Sequence, residues 1–531
     1  MSNVNNLQQK RYRLPECVIM LSNKRHYDRR RPIPMKSISE IMENSKPLID
    51  NIEQFYKKYI GSVVLRKCRI TKLVDDIAEG NVVKYHDNPI LRLLGGEESA
   101  SESVLLKKVV SAQRLLMDKI LLCFVCLSAY FMFKNDSFFS DYKKDTFYRF
   151  DKMEGANWER LQLEVAKNVI YDIDAHIRGN RINALAFDDS LYERRSGKGT
   201  ELCAKVYDHT DHKQRLGYRM MTGAWVNGSV VIPFAQSLLT TRDENLMVGP
   251  DNETDGRTLR WKRRNRAKMK GTAVVLEMVK DAQRAGIPFD YVLFDTWFSN
   301  PTQLLDLKDI GAETIAMIKK NSTKYTWTDA EGSTQKLNVK EIYSRNKKRR
   351  GRSRYLLSVE VTISDKAGRS IPARLVYVRN RAKRKDWVCF VCTDLTTDEN
   401  IILQAYAMRW GIETYFKVCK NYLKLRTECH STSYDAITSH MVIVALRYMI
   451  LAVAKFYNSA DWTIEDIFFG IQQDLIQDKV DREVVLLIDA LLDSVREYFG
   501  ATEQQMNEVL HNFINKLPIH WQERFALPET A

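Results

Sequence analysis

Two short apolar segments that each end in Phe-Asp constrain the fold of this chain most strongly. They read Ile-Asn-Ala-Leu-Ala-Phe-Asp from residue 182 and Tyr-Val-Leu-Phe-Asp from residue 291. A short apolar run bounded by polar residues is typical of a strand buried inside an α/β sheet. Each run delivers an aspartate, Asp188 or Asp295, to a strand end, where such sheets build their functional sites. Taken singly, either aspartate could also be a helix cap or a turn former.

A predicted helix over Asp398–Leu425 carries a second group of polar side chains. Tyr406, Arg409, Glu413 and Lys420 follow one another at steps of three, four and seven positions. On a helix these steps place all four within an arc of about 60°. An adjacent face is apolar and suits packing on a core. The simpler interpretation of the polar stripe is a solvated helix face with ion pairs between successive turns.

Asp188, Asp295 and Glu413 together form a candidate set of three carboxylates. Hard divalent cations such as Mg²⁺ prefer oxygen ligands, and a few carboxylates suffice when substrate phosphates complete the shell. Two such ions about 3.5–4 Å apart can clamp the attacking and leaving oxygens of a phosphoryl transfer. The set therefore predicts a site for two Mg²⁺ or Mn²⁺ ions. Asp189 is the nearest rival to Asp188, but it would point to the opposite face of a continuing strand.

These positions resemble the signature of DDE transposases of the insertion-sequence-four family. That family carries a Tyr-(2)-Arg-(3)-Glu-(6)-Lys motif, and four residues of the predicted helix match it: Tyr406, Arg409, Glu413 and Lys420. Its common Arg-Trp-x-Ile-Glu core is also present, from Arg409 to Glu413. Asp188 stands in an Asp-Asp-Ser context and Asp295 in an Asp-Thr-Trp-Phe context, like the family's other two acidic positions. The resemblance covers residues 140–430 well and is loose on either side.

The resemblance implies an α/β fold with a ribonuclease-H-like catalytic core. A mainly β insertion would precede the third acidic residue, and helical regions would flank the core on both sides. Asp188, Asp295 and Glu413 would be the catalytic and metal-binding residues.

The resemblance also implies residues that bind DNA. Tyr406, Arg409 and Lys420 would grip DNA at the end of the mobile element. Trp410 or Trp297 would stack on an extruded base, because base extrusion needs an aromatic surface. The substrate would be double-stranded DNA, namely terminal inverted repeats and target DNA, and a homodimer would pair two ends.

Patterning along the chain predicts six segments. They are a basic flexible arm at 1–35, a helical region expected to bind DNA ends at 36–180, the first part of the core at 181–318, a β-rich insertion at 319–400, the core helix with the third acidic residue at 401–431, and a C-terminal helical region at 432–531. Within the core, the dipeptide Asn227-Gly228 predicts a two-residue hairpin between strands. A helix is expected at Ala267–Ala285, and the helix of the signature motif is expected to break near Gly411.

The charge of the chain favours a polyanionic partner. It has 82 Lys and Arg against 67 Asp and Glu, a formal net charge of +15. Neutralising phosphates releases counterions, which drives binding to nucleic acid. Cationic clusters lie at residues 257–270, 345–354 and 379–385, and Arg263 and Arg264 in the first are predicted to contact phosphates. A charge run is also typical of a merely solvated face, and the second cluster would equally suit an exposed hairpin loop.

Composition and patterning predict a cytoplasmic protein with no membrane span. The nine cysteines are scattered, which suits a reducing compartment. The apolar run Ile120–Phe133 is shorter than the ~20 residues that a transmembrane helix needs. The first residues lack the apolar core of a signal peptide.

The sequence therefore predicts a cut-and-paste DNA transposase that hydrolyses phosphodiesters and transfers strands with two metal ions. Two alternatives stay open. One is a domesticated descendant that keeps nuclease or recombinase activity without mobility. The other is a non-enzymatic basic DNA-binding protein with a decayed site, against which the presence of all three acidic positions argues.

Overall fold

The computed structural model describes most of the catalytic region predicted from the sequence and parts of its flanks. The described residues are 54–70, 115–121, 123, 144–473, 491 and 494–516, without 178, 180, 195, 196, 209–211, 253, 254, 330, 352, 381, 382, 384, 385 and 459–461. The predicted arm at 1–35 lies outside them, and the helical regions 36–180 and 432–531 lie partly outside. The chain divides into one unit of residues 1–35 and 50–469 and another of residues 36–49 and 470–531.

Eleven strands in the described residues form one large mixed sheet. They are β1 Ala184–Glu193, β2 Ala204–Asp208, β3 Lys213–Asn227, β4 Val230–Leu239, β5 Tyr291–Phe294, β6 Thr314–Ile318, β7 Lys324–Thr328, β8 Thr334–Asn338, β9 Leu357–Ser364, β10 Ser370–Arg379 and β11 Trp387–Cys392. Their order is β2-β3-β1-β5-β6-β11-β10-β9-β7-β8, and β4 also pairs with β3.

The centre of the sheet combines a hairpin with parallel strands. The predicted hairpin between β3 and β4 is confirmed, but its two turn residues are Gly228 and Ser229, because Asn227 pairs with Val230. Gly228 adopts a left-handed φ of 58° in this turn. β3 pairs antiparallel with β1, whereas β5 runs parallel to β1 and β6 parallel to β5. This mixed α/β arrangement is consistent with a ribonuclease-H-like domain.

The strands between residues 319 and 400 continue the central sheet. β11 pairs antiparallel with β6, and β10 and β9 follow in the same sheet. The predicted β-rich character of this segment agrees with its five strands, but its apolar residues are buried in a sheet shared with the centre. The predicted boundaries of the segment stay a prediction.

Helices of the first unit pack against this sheet, whereas the last helix of the described residues, Glu503–Lys516, lies in the second unit. A π-helical turn Tyr56–Ile60 precedes them, and they are α1 Ser62–Lys67, α2 Lys144–Asp151, α3 Trp158–His176, α4 Leu259–Ala267, α5 Gly271–Ala285, α6 Pro301–Asp309, α7 Val339–Arg345, α8 Glu399–Met408, α9 Trp410–Asn421, α10 Tyr434–Asn458 and α11 Glu503–Lys516.

One helix prediction needs correction and another is confirmed. The helix expected at Ala267–Ala285 is α5, which ends at Ala285 as predicted but begins only at Gly271, because the chain is extended at Lys270, which has a ψ of 140°; Ala267 is the last residue of the preceding helix α4. The break expected in the signature helix near Gly411 is confirmed and lies at Arg409, between α8 and α9.

Helix α10 is the apolar centre of the helical layer. Its most apolar stretch has a mean hydropathy of 1.8, enough by length and composition for a membrane span, but that stretch is wholly buried within the protein. It packs against α3, β4, α2 and α9. A fully buried helix of this kind is typical of the core of a large globular domain.

A buried ion cluster connects α10 to segments that precede and follow the strands in the sequence. Arg447 of α10 donates to both carboxylate oxygens of Glu428, at 2.7 and 3.1 Å. Lys119 lies 2.9 Å from Asp151 and 3.8 Å from Glu428. These four side chains are at most about one-tenth exposed. Because charges this deeply buried need partners, each depends on the others.

Candidate active site

The register of the parallel strands brings Asp188 and Asp295 side by side. Phe187 of β1 pairs with Phe294 of β5, so the next residue of each strand is an aspartate at the same level. Neighbouring strands lie about 4.8 Å apart. Each carboxylate is held by a local bond: Asp188 accepts from the backbone N–H of Asp189 and Asp295 from that of Trp297, both at 2.8 Å.

Helix α9 brings Glu413 to the same place. The helix docks on β4, where Gly411 lies so close that an added Cβ would meet Val231 Cγ2 at 2.6 Å. Buried Gln236 of β4 donates to the hydroxyl of Tyr415 at 2.9 Å. These contacts orient α9 so that Glu413 faces β1.

Arg409, at the junction of α8 and α9, lies between the carboxylates. Its Nη1 donates to Asp188 Oδ2 at 2.9 Å and its Nη2 to Glu413 Oε1 at 2.5 Å. Asp295 makes no hydrogen bond to Arg409 among the described residues but interacts with it electrostatically. The three acidic residues predicted from the sequence thus converge on one guanidinium.

Crowding and burial perturb all three acids. Burial, opposed by Arg409 and reinforced by Asp295, raises the pKa of Asp188 to about 7. Burial likewise raises the pKa of Asp295 and the pKa of Glu413. Carboxylates that disfavour their own charged form gain most from an added cation.

The donor chemistry of this cluster fits a divalent metal, since it offers three carboxylates to a hard cation. In the arrangement described, Arg409 engages two of them, and among the described residues no group of three His, Cys, Asp or Glu side chains is positioned to hold an ion. Metal binding at these residues therefore requires the guanidinium to give up at least part of its contacts.

The remaining motif residues surround Arg409 at different depths. Tyr406 is buried, 7% exposed, with its ring 4.5 Å from that of Phe390. Lys420 donates to the hydroxyl of Ser190, which is two residues beyond Asp188 on the same strand. Burial lowers the pKa of Lys420 to about 8. Tyr406 therefore supports the site from beneath, whereas Lys420 adds a cation beside Asp188.

The two candidate tryptophans are both exposed. Trp297 is 51% exposed and follows Asp295 closely, with Lys319 Nζ 3.5 Å from the centre of its ring. Trp410 opens α9 and is 37% exposed. Both retain aromatic surface next to the carboxylates.

Described residues from two of the predicted cationic clusters lie at the same end of the sheet's strands as Asp295. β11 pairs antiparallel with β6, so Trp387 at its start lies near the carboxyl end of β6. Arg379, the last residue of β10, pairs with Trp387, and Leu357 at the start of β9 pairs with Tyr377. Arg349 and Arg379, from the clusters at 345–354 and 379–385, lie at this same end of the strands: the Arg349 N–H donates to Leu356 O at 2.7 Å and Arg379 Nη2 to Gly351 O at 2.9 Å.

Arg263 and Arg264 are placed differently from the prediction. They are 5% and 3% exposed. Arg263 binds Glu159 and Asp435, and Arg264 binds Glu201 and Asp435. The expectation that these two guanidiniums contact DNA does not fit these positions, because their donors are already used inside the fold.

Sequence reasoning missed an ion pair next to the carboxylates. Arg219 of β3 donates from Nε and Nη2 to the two oxygens of Asp189, at 2.8 and 2.6 Å. The sequence alone presents Asp189 only as a rival to Asp188. Thirty positions separate the partners, and only the β1–β3 pairing brings them together.

Comparison with known proteins relates part of this chain to one family. Residues 140–385 match a family model described as DDE superfamily endonuclease. The matched range contains Asp188 and Asp295 and ends before Glu413. A search of curated proteins found no match. Over residues 140–385 this chain is therefore similar to endonucleases of the DDE superfamily, and the match supports a DDE transposase-type nuclease.

Proposed function

We propose that this protein is a DDE transposase of the insertion-sequence-four type that excises and inserts a mobile DNA element. The observation that carries the proposal is the convergence of Asp188, Asp295 and Glu413 on Arg409. Two carboxylates come from adjacent parallel strands and the third from a helix docked on the same sheet. The family match supports the endonuclease class, and the motif of α8 and α9 supports the narrower assignment.

Asp188, Asp295 and Glu413 would hold Mg²⁺ or Mn²⁺, most simply as two ions. Ions bound there would polarise the phosphodiester and lower the pKa of an attacking water or hydroxyl. The chain's own contribution is to bring the three carboxylates close together while leaving the side chains of Asp188 and Glu413 partly accessible, 19% and 32% exposed.

Arg409 and Lys420 would position the phosphate. A guanidinium binds phosphate oxygens as readily as carboxylate oxygens, through paired parallel hydrogen bonds. Arriving DNA would therefore compete with Asp188 and Glu413 for Arg409. In that exchange Arg409 would leave the carboxylates that it neutralises and would bind a phosphate instead. The buried Tyr406 would hold the backbone of Arg409 in place.

The exposed aromatic and cationic residues support a DNA-binding surface at the end of the strands that carries Asp295. Trp297 and Trp410 offer faces for an extruded base. The clusters at 345–354 and 379–385 offer phosphate contacts at this same end, and such contacts position a duplex without reading its sequence. The substrate would be double-stranded DNA at the element ends and at the target, bound by a homodimer in the cytoplasm.

Cleavage of DNA that flanks the coding region tests the proposal. Purified protein with Mg²⁺ should cut a duplex that contains the flanking inverted repeat and leave a 3′ hydroxyl. The Asp188→Asn variant should bind the same duplex and leave it intact. If wild type and variant bind equally and neither cuts with Mg²⁺ or Mn²⁺, the non-enzymatic alternative is correct. If the protein cuts but no inverted repeats flank its gene, the domesticated alternative is correct.

A further inference from the structure

Asp189 and Arg219 form a second carboxylate–arginine pair beside the candidate active site. Nothing in the proposed chemistry uses either residue. The pair is bidentate, with Arg219 Nε and Nη2 on the two oxygens of Asp189. The Asp189 side chain is 15% exposed, whereas that of Arg219 is 41% exposed. The carboxylate is therefore enclosed and the guanidinium reaches solvent.

The strand register shows where this pair lies. Leu191 pairs with Arg219 and Asp189 with Met221, so Asp189 and Arg219 are diagonal neighbours on one face of the sheet. Because side chains alternate along a strand, Asp188 and Ser190 point to the other face, where Arg409 and Lys420 bind them. Consecutive aspartates of β1 thus hold arginines on opposite faces.

Asp295 lies within the influence of both arginine pairs. Its charge interacts with Arg409 on one side and with Asp189 on the other. Arg219 in turn interacts with Asp295 and Asp188 as well as with Asp189. Asp295, at the end of β5, therefore interacts electrostatically with both guanidiniums, those of Arg409 and Arg219.

The pairing leaves Arg219 with a usable edge. A guanidinium has five N–H donors in a rigid fork, so it can bind one oxyanion through Nε and Nη2 and another through Nη1. Nη1 of Arg219 makes no hydrogen bond to the part of the chain that the structure describes. Arg263 and Arg264 differ, because they are almost fully buried among three carboxylates. Arg219 is oriented without being saturated.

We propose that Arg219 is a phosphate-binding residue for DNA at this site and that Asp189 is the positioning residue that aims it. The inference rests on the proposed function for its substrate. Arg219 would hold a phosphate on the face of β1 opposite Arg409, so that the strand entering the site is gripped from two sides. Its neighbour Asp295 would then meet the strand between two cations.

The salt dependence of DNA binding isolates such a contact. The probe is a fluorescein-labelled 40-base-pair duplex of arbitrary sequence, titrated with the full chain in EDTA at several salt concentrations. EDTA prevents cleavage, so the readout does not depend on catalysis. Loss of one phosphate contact lowers the slope of log K against log salt by about 0.9.

Arg219→Gln should lower that slope by about 0.9 and weaken binding about tenfold at low salt. Arg219→Lys should keep the slope and still bind several-fold more weakly, because a single ammonium replaces the fork. Asp189→Asn should also keep the slope and weaken binding, since the charge stays but its orientation is lost. The Lys and Asn variants keep the test decisive if the Gln variant fails to fold.

Arg215 provides a matched control. It lies on the same strand and the same face, has a side chain 42% exposed, and approaches Glu193 at 4.0 Å. Four residues place it about 13 Å further from the carboxylates. Arg215→Gln should leave slope and affinity unchanged.

Three results would overturn the inference: no salt-dependent binding by the wild type, an Arg219→Gln slope equal to that of wild type, or an equal loss in Arg215→Gln. The outcome is separable from that of the proposed function. A protein that binds DNA through Arg219 but never cuts it keeps this inference and loses the nuclease. A protein that cuts DNA with an unchanged Arg219→Gln slope does the reverse.

Discussion

At the scale of single residues, the electrostatics of Asp188 dominate the site. Burial and the neighbouring acids raise the pKa of this carboxyl to about 7, although Arg409 binds it directly. The ionised form is therefore penalised in the folded protein, and an added cation would relieve that penalty. Functional sites often carry local instability of this kind.

This balance predicts that Asp188→Asn stabilises the metal-free protein at alkaline pH. The folded-state pKa of about 7 lies above the ordinary value of 3.8, so the folded state binds the extra proton between these values. The stability that this proton contributes is present at low pH and is lost as pH rises through about 7. Asparagine cannot ionise, so its advantage should grow by roughly 3 kcal/mol between pH 5 and pH 8.5 and should disappear only below about pH 4.

Urea unfolding in EDTA at the two pH values measures this difference. Asp189→Asn is the control, because it removes the bidentate bond to Arg219 and should bring no gain at either pH. A lower free energy of unfolding for Asp188→Asn at pH 8.5 would show that the pair with Arg409 outweighs the burial of charge.

Arg409 leads to a second residue-scale prediction, on metal affinity. Arg409→Gln removes the cation that binds Asp188 and Glu413, so the three carboxylates lose their neutralising partner. DNA-free protein should then bind Mn²⁺ more tightly than wild type, although DNA cleavage is lost. Titration followed by the Mn²⁺ electron paramagnetic resonance signal measures this directly. Equal or weaker Mn²⁺ binding by the variant would contradict the antagonism between the guanidinium and metal.

Sequence patterning identified the residues whose neighbours are set by local structure. Asp295 directly follows β5, whereas Asp188 lies within β1, which continues to Glu193 beyond the predicted strand end. The four-residue spacing of Arg409 and Glu413 places them about one helical turn apart. Arg263 and Arg264 could not be interpreted in this way, since a run of arginines has the same letters whether it is solvated or buried against acids. Their acidic partners come from segments more than sixty positions away.

At the scale of elements, the close docking of α9 on β4 holds Glu413 in the site. Gly411 makes that approach possible, because an added Cβ would lie 2.6 Å from Val231 Cγ2. A β-branched valine has a stiff side chain that cannot rotate away easily. Gly411, near which the helix was expected to break, is a residue at which α9 closely approaches β4.

Gly411→Ala should therefore destabilise the protein by about 1–3 kcal/mol and reduce DNA cleavage, as overpacked contacts do. The second change Val231→Ala should recover much of both losses, because it removes the clashing methyl groups. Gly199→Ala is the control, since its added Cβ meets nothing within 4 Å. Thermal unfolding and cleavage are compared for wild type, Gly411→Ala, Val231→Ala and the double variant, which form a double-mutant cycle. Additive effects of the two changes would contradict the proposed clash.

The strands were easier to predict from the sequence than the pairing between them. The hairpin of β3 and β4 could be predicted from turn chemistry at Gly228, although the turn falls one residue later than the dipeptide Asn227-Gly228 indicates. The joining of β11 to β6 depends on residues more than seventy positions apart, and no local pattern encodes it. The same limit hid the Asp189–Arg219 pair, which exists because β1 and β3 align.

At the scale of the whole molecule, one buried ion cluster connects helices that are distant in sequence. Glu428 accepts from Arg447 of α10 and lies near Lys119. The two cations hold the pKa of Glu428 at about 2 despite its burial. The segment that follows α9 is thereby tied to the helical core.

Glu428→Gln should destabilise the protein by about 3–5 kcal/mol, because it leaves two buried cations short of a charge partner. Glu465→Gln is the control, since its partner Lys417 is 3.9 Å away and 65% exposed. Exposed pairs of this kind contribute at most about 1 kcal/mol. Urea unfolding at neutral pH compares the two, and equal effects would contradict the role given to the cluster.

The central claim is that Asp188, Asp295 and Glu413 hold divalent ions together, and metal-directed backbone cleavage tests it most directly. Ferrous iron with ascorbate, added to the protein bound to duplex DNA, generates radicals that cut the chain beside the iron ligands. The account predicts cuts near residues 188, 295 and 413 in one protein, all suppressed by excess Mg²⁺. Cuts elsewhere, or cuts at only one of the three that Mg²⁺ leaves unchanged, would contradict it.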